Sequence, residues 1–397
     1  MIRRILHYLI LAAVLLGVPL LCAVIGGSDE ILSGLRQFPP RTEDWGLRPE
    51  KLWNVRRPFN RAWFVGMVAF TVACVFPLVR RGLRSLRGAP RPAPVAKRAF
   101  PAWGWGGVVL LVAAWIVTWS RFEWFRPYQV MLSYFPVWMG YIVTVNALVK
   151  WRSGRCPMTD HPFVYALTFP ASSLFWWFFE YLNRFVWNWY YLGIADLSAF
   201  EYTVYATLCF ASVLPAVYAT AELLGTFSFF DDGHYDGMSW RPDVRSRGAR
   251  LFLLLLSALG LTGIVFFPEY SYMLLWISPL MVFVLVQVLL GERCILDGLK
   301  RGSWGLVFRF SVAALVCGAC WETWNYYALA KWVYAVPWVH RWQIWEMPVI
   351  GFAGYLPFGV ECAAVTFWIY DAFGLGATAR CALEPRVGFE PTRPCGS

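Results

Sequence analysis

Long apolar runs alternate with polar connections along the whole chain, and this alternation predicts its main elements. A helix needs about 20 mostly apolar residues to cross the hydrocarbon core of a bilayer. Ten runs approach or reach that length, near residues 5–26, 62–79, 103–120, 129–149, 163–182, 203–224, 251–267, 271–291, 304–321 and 347–370. The pattern predicts an all-α polytopic membrane protein with about ten transmembrane helices.

The basic residues favour one orientation of these helices. Lys and Arg concentrate in alternate connections, at 80–98, 150–155, 241–250 and 293–301, and are sparser in the other connections after residue 120. Cytoplasmic connections carry the excess of Lys and Arg in membrane proteins. We therefore expect a multi-pass protein of the bacterial inner membrane with both termini in the cytoplasm; the basic connection 27–61 is the exception to the pattern.

A polar motif recurs inside otherwise apolar runs. Glu-x-x-Asn stands at 180–183 and again at 322–325, 142 residues later, and a Phe-Ala-x-x-Leu-Pro motif recurs at the same offset. We interpret this as a duplication of 102–225 onto 244–367. Each copy holds four spans, so both copies enter the membrane in the same sense. The expectation is two parallel four-helix repeats.

The repeat and the connections together predict the domain organisation. The predicted segments are a two-span N-terminal appendage (1–79), a basic Pro-rich cytoplasmic linker (80–101), membrane repeat 1 (102–225), a cytoplasmic loop (226–250), membrane repeat 2 (251–376) and a spurious or disordered tail (377–397). The tail is set apart because Gly388-Phe-Glu-Pro391 is what the reverse complement of a tRNA T-arm would encode.

Composition supports the membrane class and narrows the partners. Hydrophobic residues make up 59% of the chain, charged residues 15%, and the mean hydropathy is +0.50, whereas a soluble domain has about 25% charged residues. The net charge of +11 comes from basic residues in the predicted cytoplasmic connections, so we expect the lipid bilayer as partner and no nucleic acid. Whether the protein forms a homo-oligomer is left open. The His and Cys spacings match no metal site, so we predict no metal and no cofactor.

The Glu-x-x-Asn pair is the strongest candidate site. Residues three apart share a helix face, and a Glu near the end of a span needs a partner or a wet cavity. We expect Glu180 and Glu322 to converge on one outward-facing aromatic pocket as acid or base, with Asn183 and Asn325 orienting a ligand. The other candidate binding residues are Trp177, Trp187, Trp321, Trp324, Tyr327 and Glu346. Alternatively, each Glu and Asn bonds a nearby Trp N–H or Arg184 and ties helix ends together.

Two further features lie within the spans. Glu361 follows Pro357 in the last run; a lone carboxylate at that depth is a candidate catalytic group, or it caps carbonyls freed by the proline. Cys317-Gly-Ala-Cys320 has the spacing of a dithiol, although small residues at helix contacts explain it more simply.

The aromatic and acidic stretches also carry a resemblance. Residues 175–191 and 321–361, with their Glu, Asn and Pro positions, resemble a family of bacterial multi-pass membrane proteins to which no activity is assigned. The second unit is similar to the small membrane lycopene cyclases, which have repeated helical units with Glu- and Pro-rich motifs. Those proteins place two adjacent Glu after Pro, and neither Pro348 nor Pro357 has an adjacent acid here.

Three functions are compatible with these patterns. The first is binding or modification of a lipid or isoprenoid-like substrate in the aromatic and acidic pocket near the outer leaflet. The second is a proton-coupled transporter that uses Glu361 and the paired Glu, and the third is a non-catalytic membrane scaffold. Few polar residues line the middle of the spans, which favours the first.

Overall fold

The computed structural model describes residues 2–27, 29–36, 58–88, 98–128 and 133–375, and this part of the chain is mostly helical. The helices are α1 (Ile2–Ile25), α2 (Asp29–Arg36), α3 (Arg61–Gly88), α4 (Ala102–Ser120), α5 (Tyr134–Ser153), α6 (Pro157–Asp160), α7 (Pro162–Val186), α8 (Ala199–Phe210), α9 (Val213–Leu224), α10 (Arg247–Phe266), α11 (Pro268–Ser271), α12 (Ser278–Leu290), α13 (Gly305–Tyr326) and α14 (Tyr355–Ala372). Six 3-10 segments connect them: Glu123–Tyr128, Ser228–Phe230, Asp232–Tyr235, Tyr272–Trp276, Asp297–Arg301 and Val349–Gly354.

Seven helical segments of the described chain are long and apolar enough to cross a membrane, or up to eight if Pro268–Trp276 and Ser278–Leu290, bent by 48°, count as one span. The predicted runs near 129–149 and 163–182 contain helices α5 and α7, but these two do not reach the same apolar content. Both carry buried polar residues, such as Asn146 and Glu180. Helices surrounded by other helices need no continuous lipid-facing apolar surface, which explains their mixed composition.

Small residues set the closest helix contacts. A Cβ added to Gly140 of α5 would lie 2.4 Å from the backbone N of Leu111 in α4, and one added to Gly359 of α14 would lie 2.1 Å from the carbonyl O of Phe310 in α13. Only glycine allows backbones to approach this closely. The pairs α4–α5 and α13–α14 are accordingly among the most closely packed in the structure.

Four short strands depart from the expected all-α fold. Strands β1 (Trp189–Leu192) and β2 (Lys331–Tyr334) form an antiparallel pair, and β3 (Gln343–Ile344) pairs with β4 (Met347–Pro348). In the first pair Trp189 lies opposite Tyr334, and Tyr191 lies opposite Trp332. Because β1 follows α7 and β2 follows α13, this ribbon joins the ends of the two helices that carry the Glu-x-x-Asn motifs.

Helices α7, α9, α13 and α14 form the centre of the bundle. Helix α9 packs against α5, α7, α13 and α14, and one large core connects these elements. Helix α3 is peripheral: none of its residues before Leu78 is buried. The centre of the bundle and the β1–β2 ribbon therefore position the candidate site.

Candidate functional site at the ends of α7 and α13

Glu180 lies near the end of α7 and is almost fully buried. Its Oε1 accepts hydrogen bonds from Trp176 Nε1 at 3.1 Å, Trp189 Nε1 at 3.0 Å and the Tyr191 hydroxyl at 2.5 Å. One donor comes from the preceding turn of the same helix and two come from β1. Aromatic donors thus satisfy the buried carboxylate, since a buried polar group without hydrogen-bond partners is costly.

Glu322 has a similar environment at the end of α13. It is fully buried, and its Oε1 accepts from the hydroxyls of Tyr334 at 2.6 Å and Tyr355 at 3.0 Å. Tyr334 in turn accepts from Trp332 Nε1 at 2.7 Å. Oε2 of Glu322 is buried and has no hydrogen-bond partner. Each motif therefore places a carboxylate behind a tyrosine and a tryptophan of the following strand.

The two motif asparagines hold the strands in place. Asn183 Nδ2 donates to Trp189 O at 2.8 Å, and its Oδ1 accepts from Asn188 N at 2.8 Å. Asn325 Nδ2 donates to Trp332 O at 2.8 Å, and its Oδ1 accepts from Trp332 N at 2.9 Å. These bonds satisfy backbone groups at the start of β1 and β2. The structure thus shows both asparagines in bonds to the strands.

A cavity of about 440 Å³ lies between the two motifs. Its walls are strongly aromatic and include the side chains that donate to the carboxylates, which are Trp176, Trp189, Tyr191, Tyr334 and Tyr355. They also include Trp332, which donates to Tyr334. Glu180 and Glu322 are not among the lining residues, so each carboxylate stands one side chain behind the wall. Both carboxylates are thus brought to one aromatic cavity, but through intervening tyrosine and tryptophan rings.

The wall tyrosines of the ribbon remain protonated donors. Burial raises the pKa of Tyr191 and of Tyr334 well above the ordinary value of 10.0, and the neighbouring carboxylates Glu180 and Glu322 raise each pKa further. A phenol in this state donates its proton in a hydrogen bond and does not ionise near neutral pH. The site therefore presents neutral hydroxyls backed by carboxylates.

The other predicted binding residues divide into those at the cavity and those away from it. Trp321 lines the cavity, and its ring centroid is 4.7 Å from that of Trp176. Trp177 donates to Thr207 Oγ1 at 2.9 Å outside the lining. Three more predicted residues also lie outside the lining: Trp187, Trp324 and Tyr327.

These three residues have structural contacts instead. Trp187 caps the C-terminus of α7 with a positive φ of 52° and stacks on Tyr190. Trp324 is buried against Trp138, with ring centroids 4.8 Å apart. Tyr327 is 47% exposed. They build the helix ends around the site rather than its surface.

A charged pair lies at the edge of the cavity. Glu346 forms an ion pair with Lys331, which lines the cavity. Both side chains are largely buried, and Lys331 Nζ also donates to Tyr326 O at 3.2 Å. Glu346 therefore neutralises the one lysine of the described residues that reaches the cavity wall.

Glu361 lies elsewhere, in the middle of α14. It is 3% exposed, and its Oε2 is buried without a hydrogen-bond partner. Glu222 of α9, also buried, has a similarly unpartnered Oε1 and lies in electrostatic contact with Arg309. Cys317 contacts Thr220 Oγ1 at 3.3 Å, and both Cys317 and Cys320 are free thiols. None of these six residues lines the cavity.

Several residues that build the site were not predicted from the sequence. Tyr355 comes from α14, Trp276 from the 3-10 segment before α12, and Met67, Phe70 and Cys74 from α3. A tyrosine 11 or 12 residues after each motif glutamate is a signal for Tyr191 and Tyr334. The α3 contribution has no such signal, because its apolar residues resemble those of any membrane helix.

The fold and site are those of a mostly helical protein, consistent with the multi-pass membrane class, with an aromatic cavity backed by two buried glutamates. Comparisons with protein-family models, curated proteins and solved structures find no match to this chain. Within the described residues, no group of three or more His, Cys, Asp or Glu side chains is placed to hold a metal ion.

Proposed function

We propose that the protein binds a lipid or isoprenoid-like molecule in the aromatic cavity, near the outer leaflet, and modifies it there. The observation that carries the proposal is the cavity itself: about 440 Å³, within the range of about 300–1,000 Å³ typical of small-molecule sites. Aromatic rings dominate its wall. The ring faces would pack a hydrocarbon chain and would stabilise a positive charge that develops on it.

The hydrogen bonds at the wall favour an apolar ligand over a polar one. Trp176, Trp189 and Tyr191 direct their polar hydrogens to Glu180, and Tyr334 and Tyr355 direct theirs to Glu322. These polar atoms are thus already partnered within the protein. Two other lining residues have a polar atom without a hydrogen-bond partner, the Tyr134 hydroxyl and Asn188 Oδ1, and both atoms are buried. A ligand rich in hydrogen-bonding groups would therefore find few free partners on this surface.

In this proposal the glutamates act as positioning groups and the tyrosines meet the ligand. A proton given to or taken from the ligand would pass through the hydroxyl of Tyr191, Tyr334 or Tyr355, and Glu180 or Glu322 would accept or return it. The sequence predicted the glutamates as the direct acid or base. In this proposal the tyrosines at the cavity wall exchange the proton with the ligand, and each glutamate acts through a tyrosine.

The proposal includes the predicted membrane arrangement of about ten spans, two parallel repeats and cytoplasmic termini. Its support is the matched environment of the two motifs: each Asn bonds the following strand, and each Glu accepts from a strand tyrosine. The β1–β2 register pairs a tryptophan of one strand with a tyrosine of the other at two positions, Trp189 with Tyr334 and Tyr191 with Trp332. A two-fold axis through this ribbon would produce that register.

One observation favours the transporter alternative. Glu361 and Glu222 each have a buried carboxylate oxygen without a hydrogen-bond partner, and such groups mark proton paths in many membrane proteins. A transporter that uses Glu361 and the paired Glu would lose proton coupling in Glu361→Gln. A modifying enzyme would keep its activity in Glu361→Gln and lose it in Glu180→Gln.

Native mass spectrometry with lipid extraction tests the proposal. The variant Ala206→Phe fills the cavity from α8, whereas Leu254→Phe adds the same side chain at a position of α10 that is 53% exposed and outside the lining. We expect a specific lipid or isoprenoid to co-purify with the wild type and Leu254→Phe but not with Ala206→Phe. Identical, non-specific lipid in all three proteins would refute the proposal.

A further inference from the structure

We propose that the ligand enters the cavity sideways from the bilayer, past helix α3, and that the outer part of α3 is a gate hinged at Pro77. This inference rests on the proposed function, since it names the ligand as a molecule dissolved in the membrane. It depends on how α3 borders the cavity, how its two ends are held, and where the helix can bend.

Helix α3 forms one side of the cavity, and its partly buried residues Phe64, Met67 and Val68 pack against the outside of the core. Met67, Phe70, Thr71 and Cys74 line the cavity, and they span about 10 Å of helix at 1.5 Å per residue. Phe70 is nevertheless 70% exposed, and Cys74 is exposed. Side chains that touch both the cavity and the exterior mark a place where the two communicate. That place lies along a helix of the apolar spanning type, so the exterior there is lipid.

The cytoplasmic end of α3 is anchored. Leu78, its first buried residue, packs in a cluster with Tyr235 and Phe308. Arg81 donates from Nε to His234 O at 2.9 Å and from Nη2 to Asp236 O at 2.8 Å. This end is therefore fixed to the 3-10 segments before α10 and would not follow a movement of the outer part.

The outer end of α3 is held by ring contacts and by two hydrogen bonds, from Asn60 N to Trp338 O at 2.7 Å and from the Tyr272 hydroxyl to Met67 Sδ at 3.7 Å. Phe64 lies against Trp342, with ring centroids 4.9 Å apart, and Trp63 lies against Tyr270 at 6.4 Å. None of the seventeen residues from Arg61 to Pro77 is buried. Contacts between partly exposed rings are individually weak, so a small number of them can break and re-form thermally.

Pro77 lies between the anchored and the loosely held parts. It stands inside α3, where a proline removes one backbone hydrogen bond and clashes with the carbonyl four residues earlier, Ala73. The helix is thus weakest one turn from Cys74, at the inner end of the cavity lining. Bending there would widen the opening beside Phe70 and Cys74 and leave the anchor at Leu78 in place.

Thiol labelling of Cys209 in lipid nanodiscs tests this route. Cys209 lines the cavity from α8 and is half-buried. The other native cysteines are replaced by serine, and the labelling of Cys209 is measured by peptide mass spectrometry. The probes are N-(1-pyrenyl)maleimide, which dissolves in the bilayer, and a sulfonated maleimide, which does not. We expect the pyrenyl reagent to label Cys209 at least about tenfold faster. Equal or faster labelling by the sulfonated reagent would place the entrance on the aqueous side and overturn the inference.

A reversible cross-link tests the gate itself. Phe64→Cys/Trp342→Cys, joined by a reducible bis-maleimide, fixes the outer end of α3 with two residues that do not line the cavity. We expect pyrenyl labelling of Cys209 to slow about tenfold and to recover on reduction. The control Arg81→Cys/His234→Cys, joined in the same way, fixes the end that is already anchored and should leave the rate unchanged. If the Phe64→Cys/Trp342→Cys cross-link does not slow the labelling of Cys209, the gate is refuted.

A second variant avoids cross-linking. Pro77→Ala restores the helical hydrogen bond and should slow labelling several-fold, whereas Pro19→Ala removes the proline inside α1 and should not. An unchanged rate in Pro77→Ala would argue against the hinge. The labelling experiment needs no natural ligand, so it tests the gate independently of the proposed function. If the labelling results contradict the gate while native mass spectrometry still finds a specific bound lipid, the gate is refuted and the proposed function stands.

Discussion

Removing the Glu322 carboxylate should destabilise the protein because two tyrosine hydroxyls lose their acceptor. Glu322 is fully buried and accepts from Tyr334 at 2.6 Å and Tyr355 at 3.0 Å. Leaving a buried donor without its acceptor costs about 1–3 kcal/mol. Glu322→Ala deprives two donors at once, so we expect the free energy of unfolding to fall by about 2–6 kcal/mol, before any cost of the space left behind.

The refuting comparison is the triple variant Glu322→Ala/Tyr334→Phe/Tyr355→Phe. It removes the acceptor and its two donors together, which can be nearly neutral, and leaves one donor, Trp332 Nε1, without the Tyr334 hydroxyl that accepts from it. Because Glu322→Ala alone leaves two hydroxyls without an acceptor, the triple variant should still be more stable than Glu322→Ala by at least about 1 kcal/mol. Unfolding in mixed micelles, followed by steric trapping, measures these differences. The exposed Glu123 supplies the control, since Glu123→Ala should stay within about 0.5 kcal/mol of wild type. A triple variant as unstable as the single one would refute this account of the buried carboxylate.

Two further predictions concern packing and pH. Gly359→Ala should lower the unfolding temperature, because the new Cβ would lie 2.1 Å from the carbonyl O of Phe310. The control Gly106→Ala, whose new Cβ would have no atom within 4 Å, should leave the unfolding temperature unchanged or raise it. Equal effects of the two changes would contradict the packing argument. Burial lowers the pKa of His340 to about 4 from 6.5. The folded state therefore resists protonation, so its stability is full above about pH 6.5 and declines as the pH falls towards about 4. His340→Leu should flatten this dependence between pH 7 and 5 in denaturant titrations, and an unchanged slope would assign it to other groups.

The helices were predictable because each has a local cause. A long apolar run must satisfy its backbone groups internally when it lies in lipid, and a helix does so. The mostly helical character is therefore confirmed, although the number of spans is not. Helices α5 and α7 are less apolar than the seven clear spans, since neighbouring helices cover them. The β1–β2 ribbon has no equally local cause: four aromatic or aliphatic residues pair only because the distant segment 331–334 lies beside them.

The two glutamates of the candidate site were predictable from the sequence, whereas the aromatic residues that line the cavity were less so. Glu180 and Glu322 stand out in sequence because a carboxylate in an apolar run is costly, and the structure brings both to one aromatic cavity. The sequence suggested tryptophans next to the motifs as the wall. Trp321 does line it, but Trp177, Trp187 and Trp324 do not, because the direction of each ring depends on which helix face meets which neighbour.

The sequence by itself determined that this chain is built from apolar helices and that two glutamates lie near the ends of apolar runs, since run length and the cost of burying charge are properties of short segments. The tertiary structure alone decided that the carboxylates stand behind the cavity wall and that α3 completes it. Those facts depend on contacts between residues 67–74, 189–191 and 332–355, which lie far apart in the chain. Such contacts are chosen by shape complementarity across the folded bundle, and no local pattern encodes them.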